Sequence, residues 1–259
     1  MKKLFVLMLA VAICSIAYNQ PAGNRKMAVT TNSEAAKKLY DQATTAMEDV
    51  QLGKFVELAN EALKEDPDFF MANKNLATYH MYFGNDQKFR EYAGKAVNCK
   101  AELSEGEMLL KDALRRLLDN KEADVTDIGK KLVEKYPQDI NAYYSLNMFQ
   151  SVIKDYEGAV KTLKSGLKIA ERPGPVYNML GYTYLSLNDT ENAAAAFDKY
   201  IEMEPDNPNT YDSKGDYYMA VKDYTRAYES FMKANEIDSS WGMGKALKAK
   251  ALSDSLLKK

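Results

Sequence analysis

One histidine, His80, and two cysteines, Cys14 and Cys99, are the only imidazole and thiol groups this chain offers for chemistry. A Ser–His–acid or Cys–His mechanism would have to run through His80, and Cys99 falls elsewhere in the same stretch of helix. A structural zinc site takes four nitrogen and sulfur ligands, more than the three this stock supplies. No HExxH, CxxC, Walker phosphate loop or GxGxxG turn is present. Acidic side chains number 37 against 35 lysines and arginines, well mixed and mainly on faces expected to be solvated, so no carboxylate pair stands out. The expectation is no catalytic residue, no metal and no cofactor. His80 reads as a packed structural imidazole and Cys99 as a small, half-buried apolar group. Recognition is what remains.

The elements that would present a recognition surface show in the spacing. Tyr177, Leu180, Gly181, Tyr184, Ala193, Phe197 and Pro205 are followed 34 residues later by Tyr211, Gly215, Tyr218, Ala227 and Phe231 in the same order. A fixed period of this length marks stacked supersecondary units. Extending the ruler gives six windows, 36–69, 70–103, 106–139, 140–173, 174–207 and 208–241, with Ser104 and Glu105 inserted between the second and third. Pro67, Pro137 and Pro205 share one window position, where each would stop a second helix. Asp155, Asp189 and Asp223 share another, where each would cap one. Asn207 and Pro208 form an N-cap and first-turn pair. Thr31 and Glu34 have capping-box spacing, so helix is expected from about there.

The motif aromatic-x-x-Leu-Gly-x-x-Tyr, then Ala, aromatic, Ala and Pro, resembles the tetratricopeptide repeat. The match is best at 174–207 and 208–241, fair in the fourth window (Tyr143, Leu146, Ala159, Leu163), and rests on spacing and proline in the first three. The resemblance implies an all-α, right-handed solenoid of about six helical hairpins. It makes Gly181, Ala193, Phe197, Gly215, Ala227 and Phe231 packing residues, the glycines facing the alanines and the rings filling space towards the next repeat. It also implies a groove lined by the first helices. The groove positions are Tyr40, Met47, Met71, Thr78, Met81, Tyr82, Leu110, Leu114, Leu117, Tyr144, Met148, Tyr182 and Met219. Methionine adapts its shape and tyrosine joins a flat apolar body to a polar tip, so this set suits an extended peptide or an amphipathic helix. Some of these positions belong to the core if the register of the first three windows shifts. The carboxylate clamp of chaperone-binding relatives is not matched: Lys74 fits one position, but Thr78, Lys111, Asn141 and Ser145 break the set. Asp212 and Asp216 give the last window an acidic lip that favours basic partners.

In the first three windows the second-helix residues exchange size. Phe55 precedes Ala59, Phe89 precedes Ala93 and Val125 precedes Gly129, whereas Ala159 precedes Leu163, Ala193 precedes Phe197 and Ala227 precedes Phe231. Either volume is swapped in place, or the second helix slips about one turn after a longer loop.

Both ends read differently from the array. Lys2 and Lys3 precede the uncharged run Leu4 to Ala17, with Ser15 and Ala17 at the −3 and −1 positions of a cut, so residues 1–17 read as a secretory signal peptide. Lipid attachment at Cys14 is the weaker route, because Ile13 rather than a small residue precedes it. Residues 18–32, polar and without an apolar period, read as a flexible leader. Ser239 and Ser240 offer a cap for a C-terminal helix over about 242–259, with Met243, Leu247, Ala251 and Leu252 on one side, covering the end of the stack.

A net charge of −2 with interspersed signs offers no basic stripe for nucleic acid. The expected protein is an exported, non-catalytic scaffold or adaptor of the periplasm or cell envelope. It holds a protein or peptide in its groove and meets a membrane only through a lipid or a partner. The alternative is a self-assembling or outer-membrane assembly component.

Overall fold

Alanine, leucine, lysine and glutamate at helical spacing, punctuated by capping aspartates and asparagines, give an all-helical chain. A computed structural model describes residues 25–257 and holds, among them, thirteen α-helices and no strand. In sequence they fall two to a window, each two making one pair in chain order: α1 (Glu34–Glu48) and α2 (Leu52–Glu65), α3 (Phe70–Tyr82) and α4 (Asp86–Val97), α5 (Glu105–Asp119) and α6 (Thr126–Lys135), α7 (Ile140–Val152) and α8 (Tyr156–Gly166), α9 (Pro173–Ser186) and α10 (Thr190–Met203), and α11 (Pro208–Ala220) and α12 (Tyr224–Ile237). A last helix, α13 (Met243–Leu257), follows. Among the described residues the chain is all-α and built of helical repeats. The expected signal peptide and the first part of the leader lie outside the described residues.

The helices group into two compact units that are interleaved in sequence. A middle unit holds 68–153 together with 25–32, and a flanking unit holds 33–67 together with 154–257.

The caps are those the sequence shows. Asp155, Asp189 and Asp223 accept hydrogen bonds from the backbone N–H groups of Gly158, Asn192 and Arg226, and Asn85 does the same for Lys88. Asn207 caps α11, with Pro208 in its first turn. The residue before each cap is left-handed: Gly84 (φ 72°), Lys154 (φ 60°), Asn188 (φ 58°) and Lys222 (φ 63°), with Val50 (φ 57°) before Gln51. One turn geometry therefore recurs in five pairs, and it costs most at the β-branched Val50. The first helix is capped by Ser33, which accepts from Ala36 N–H, and not by Thr31 as the capping-box spacing suggested.

The third pair differs. Its second helix starts 20 residues into its window (126 against 106), where the others start 16 in (86 against 70, 156 against 140). Pairs one and two therefore swap volume in place, with Phe55 and Phe89 buried above Ala59 and Ala93. Pair three slips, which puts Gly129 four residues after the Val125 cap, where Ala159 follows Asp155. A Cβ on Gly129 would lie 2.9 Å from the Cα of Leu146, so α6 and α7 touch through backbone.

The packing residues of the last two pairs are all buried. Gly181 lies against the ring of Phe197: an added Cβ would lie 2.5 Å from the ring. Gly215 meets Phe231 in the same way. The glycines make room for rings of their own pair. The final helix is also turned from its expected face. Ala246 and Ala249 are its buried residues, in a cluster with Ala227 and Phe231, while Met243, Leu247 and Ala251 are exposed and Leu252 is half-buried. The Phe231 ring fills the interface, so only alanines fit beneath the helix. Neither Ser239 nor Ser240 caps it. Ser240 instead closes a turn on Asp238 (N–H to Oδ1 2.9 Å), and Gly242 (φ 74°) reverses the chain where a Cβ would strike the carbonyl of Phe231.

The first pair sits with the last ones. The Arg172 guanidinium, before α9, donates to Glu48 (3.3 Å) and Asp49 (2.6 Å) at the end of α1 and to Glu204 (3.0 Å) after α10. The carboxylates outweigh the burial of Arg172 and hold it above its ordinary pKa, while burial pushes the Glu48 carboxyl up.

Gly181→Val should lower unfolding free energy by about 1–3 kcal/mol, because Phe197 cannot leave its buried site without opening the pair. Urea denaturation of the two proteins checks this, and an unchanged midpoint would sink the assigned packing.

Candidate interaction site

The leader is not loose where it is described. Residues 25–32 lie against the middle unit, with Met27 buried and its N–H donating to Asp139 Oδ2 at 2.8 Å. Both Thr30 donors reach Glu107, at 2.9 and 2.7 Å. A polar stretch reads as solvated when its partners lie about 77 and 112 residues away, and these do.

The expected groove residues divide by burial. In the flanking unit Tyr40 is core, Met47 is half-buried, and Met219 packs half-buried on the Phe231 cluster. Tyr182 stays 39% exposed. In the middle unit Met71, Leu110, Leu114 and Leu117 are core. Thr78, Met81, Tyr144 and Met148 are half-buried, and Tyr82 is 83% exposed. Tyr40, Met71, Leu110, Leu114 and Leu117 are therefore corrected from ligand contacts to packing. Each lies on an apolar stripe with neighbours three or four residues away, Ala36 and Ala43 around Tyr40 and Ala113 beside Leu110. A stripe of that kind looks the same whether it faces a groove or a neighbouring helix.

On α9, α11 and α13 a ladder of polar groups crosses three first-position helices. The Tyr182 hydroxyl donates to Asp216 Oδ2 at 2.9 Å and lies 3.2 Å from Ser213 Oγ. Lys245 Nζ donates to Asp212 (2.5 Å) and to Asp216 (2.9 and 3.0 Å). The acidic lip is thus filled by the chain's own lysine. Burial raises the Asp212 pKa although Lys245 pulls the other way, and the two aspartates raise Lys245 against its burial. Burial and then the Asp216 carboxylate push the Tyr182 phenol up, so it stays a neutral donor. Its ring stands edge-on to Phe197 at 5.2 Å. The packing ring inside the pair therefore also sets the exposed ring outside it. Lys214, only 8% exposed, ties α11 to α10 through Asp198 (2.7 Å) and the Ala194 carbonyl (3.2 Å).

Residues 174–207 and 208–240 each match the family model of the tetratricopeptide repeat. These two stretches are tetratricopeptide repeats. Solved structures similar to it include a thermophilic tetratricopeptide-repeat protein of Thermus thermophilus (18% identity, 86% of this chain and 100% of that one, TM-score 0.48). Another is PilW, a widely conserved type IV pilus biogenesis factor (16% identity, 83% and 98%, TM-score 0.48). A third is a tetratricopeptide-repeat protein of Parabacteroides merdae (15% identity, 78% and 79%, TM-score 0.45). No curated protein matches the sequence. Tetratricopeptide arrays are protein-interaction scaffolds, and the two matched repeats are those that hold Tyr182 and Asp216.

The repeat structure adds groups that spacing did not single out. The side-chain oxygens of Asn147 on α7 and Asn178 on α9 are buried without a hydrogen-bond partner. Asn147 directly precedes Met148, and Asn178 lies one turn before Tyr182. A buried acceptor left unpaired costs free energy that a ligand N–H would recover. Sequence could have offered only the presence of asparagine inside a helix, where it is a poor helix former.

Lys74 on α3 is half-buried, and burial alone pulls its pKa down to about 8. His80 is packed against Tyr92, rings stacked at 5.6 Å, and burial lowers its pKa. Cys99 is buried with Lys111 Nζ 3.8 Å from its sulfur, and burial raises the thiol. Among the described residues no group of three His, Cys, Asp or Glu is placed to hold a metal ion, and no helix is long and apolar enough to cross a membrane. A cleft of about 620 Å³ lies beside Arg172, between Asp49, Pro173, Glu204 and Asn207, with two of its carboxylates engaged by the guanidinium.

Lys74 sets a pH dependence. Its folded pKa lies below its unfolded value, so below about pH 8 both states hold the proton and the burial cost is present in full. Above that the folded state releases the proton first, and stability rises until the unfolded lysine also titrates, near pH 10.4. Urea denaturation from pH 7 to 10.5 should show that rise in the wild-type chain and a flatter profile in Lys74→Met.

Proposed function

We propose that this protein is an exported, non-catalytic adaptor of the cell envelope that holds an extended peptide segment of another protein on the first-helix faces of its repeats. The observation behind the reading is the buried, unpaired Asn178 oxygen one turn from the open Tyr182 ring, within a matched repeat. An extended peptide supplies backbone N–H groups to the first and a side chain to stack on the second. Asn147 with the half-buried Tyr144 and Met148 offers the middle unit's version of the same chemistry. Asp212 and Asp216 on the α9–α11–α13 face are already engaged by Lys245, so the reading favours apolar and amide recognition over a basic partner.

Export is supported by the lysine pair and the apolar run Leu4 to Ala17. N-terminal sequencing of protein recovered from an envelope fraction should begin at Tyr18. A mature chain that begins at Met1 would remove the envelope from the proposal.

Self-assembly stays as a second reading because Met243 and Leu247, the latter 60% exposed, lie one turn apart on the outer side of α13. Selection from a random peptide library, followed by affinity measurement, tests the first reading. Tyr182→Ser and Asn178→Ala should each weaken a selected peptide by about tenfold, a typical cost for a buried aromatic or hydrogen-bonding anchor. A peptide whose affinity is indifferent to both substitutions and to Tyr144→Ser would refute it.

A further inference from the structure

Residues 25–32 do what a bound peptide does. They run without regular secondary structure over the starts of α5 and α7, touching each through a buried carboxylate. Glu107, in the first turn of α5, is completely buried and accepts three hydrogen bonds besides its place in the helix. Two come from the Thr30 backbone and hydroxyl (2.9 and 2.7 Å) and one from the Ser104 N–H (2.9 Å). Asp139, the cap of α7, holds Asn141 N–H on one oxygen (2.9 Å) and Met27 N–H on the other (2.8 Å). The Ala28 carbonyl accepts from the Ser104 hydroxyl at 2.8 Å. The Met27 side chain, 8% exposed, fills a notch that exists because Gly106 has no Cβ: one built there would run into that side chain, with the Tyr136 ring 3.1 Å away.

These are the parts of a peptide receptor. Fixed acceptors take backbone donors three residues apart, a donor takes the carbonyl between them, and one shaped notch takes one side chain. Arg25, Lys26 and Ala28 beside the notch residue are exposed. The caps would serve α5 and α7 without it, since Ser104 and Asn141 already engage the two carboxylates.

We propose that the α5–α7 edge of the middle unit is a binding site for an extended peptide of a partner protein. The peptide has methionine or another unbranched apolar side chain at one position and threonine or serine three residues on. Residues 25–32 are the intramolecular mimic that fills the site until such a partner displaces them. Methionine fits the narrow notch beside Gly106 where a branched chain would not. The hydroxyl residue is specified because Glu107 takes a side-chain and a backbone donor from the same residue. The tether gives the mimic a concentration advantage that a partner must overcome with contacts of its own. The site shares no residue with the α9–α11–α13 face, so either can fail alone.

The test uses the full chain and a fluorescein-labelled synthetic peptide of residues 25–32. Met27→Asp combined with Thr30→Pro disables the mimic but leaves the receiving edge intact. That chain should bind the peptide saturably, and the wild-type chain should bind it at least about tenfold more weakly because its own segment competes. Adding Glu107→Gln, which keeps a residue able to complete the helix cap, should abolish binding. No saturable binding by a disabled chain with wild-type circular dichroism would overturn the proposal, as would binding indifferent to Glu107→Gln. If the disabled chain loses helicity, hydrogen exchange on the wild-type chain decides. Excess peptide should speed exchange at the Met27 and Thr30 amides, and unchanged rates would overturn the proposal. A concentration-dependent dimer of the wild-type chain, dispersed by the peptide, would assign the site to a second copy and overturn the partner reading.

Discussion

An aromatic ring can lie against a helix backbone only where that backbone carries no side chain. Gly181 under Phe197 and Gly215 under Phe231 meet this condition, and Gly129 against Leu146 meets its backbone-to-backbone form. The spacing of the last two pairs follows from it, since each ring is fully buried and neither helix can withdraw without exposing it. The polar ladder across α9, α11 and α13 follows too. Phe197 holds Tyr182 edge-on, Tyr182 reaches Asp216, and Asp216 shares Lys245 with Asp212. A chain of contacts thus runs from a buried packing residue to a surface on three consecutive first helices.

The parts of this fold that depend on nearby residues were legible in the sequence. Asp155, Asp189 and Asp223 cap their helices because a side-chain oxygen needs only the N–H three residues on. Pro67, Pro137 and Pro205 lie just beyond α2, α6 and α10 for an equally local reason. What depends on distant partners was not legible. Met27 and Thr30 look like linker because their acceptors are far along the chain, and Val125 with Gly129 could not reveal by itself that α6 starts a turn late. The site suffers most from this. Leu110 and Leu114 have the spacing of a lining stripe, but a helix flanked on several sides has more than one such stripe. Tyr182 and Tyr82, which stay exposed, carry no local signal that separates them from the buried members of the set. The acidic pair Asp212 and Asp216 was visible, but the lysine that fills it lies about 30 residues away on a helix whose facing was misjudged.

Electrostatics here is largely settled within the chain. Arg172 draws three carboxylates, Lys245 two, and Lys214 lies against Asp198 with its stem covered. Exposed pairs of this kind add little to stability, but buried ones fix geometry, because an unpaired charge inside costs far more than a surface pair returns. Lys74 is a half-buried cation whose pKa burial alone pulls down.

The Arg172 cluster has a bearing on how the molecule is made. Glu48 and Asp49 leave the ribosome more than 120 residues ahead of the guanidinium they bind. In that interval the whole of 68–153 emerges and can organise itself. The earliest hairpin to be translated is thus among the last to find its mates, and a repeat protein expected to zip up from one end instead closes a long loop late. Its refolding should be slower than local pairing of helices alone would give, since that closure must be met before the distant contact rewards it.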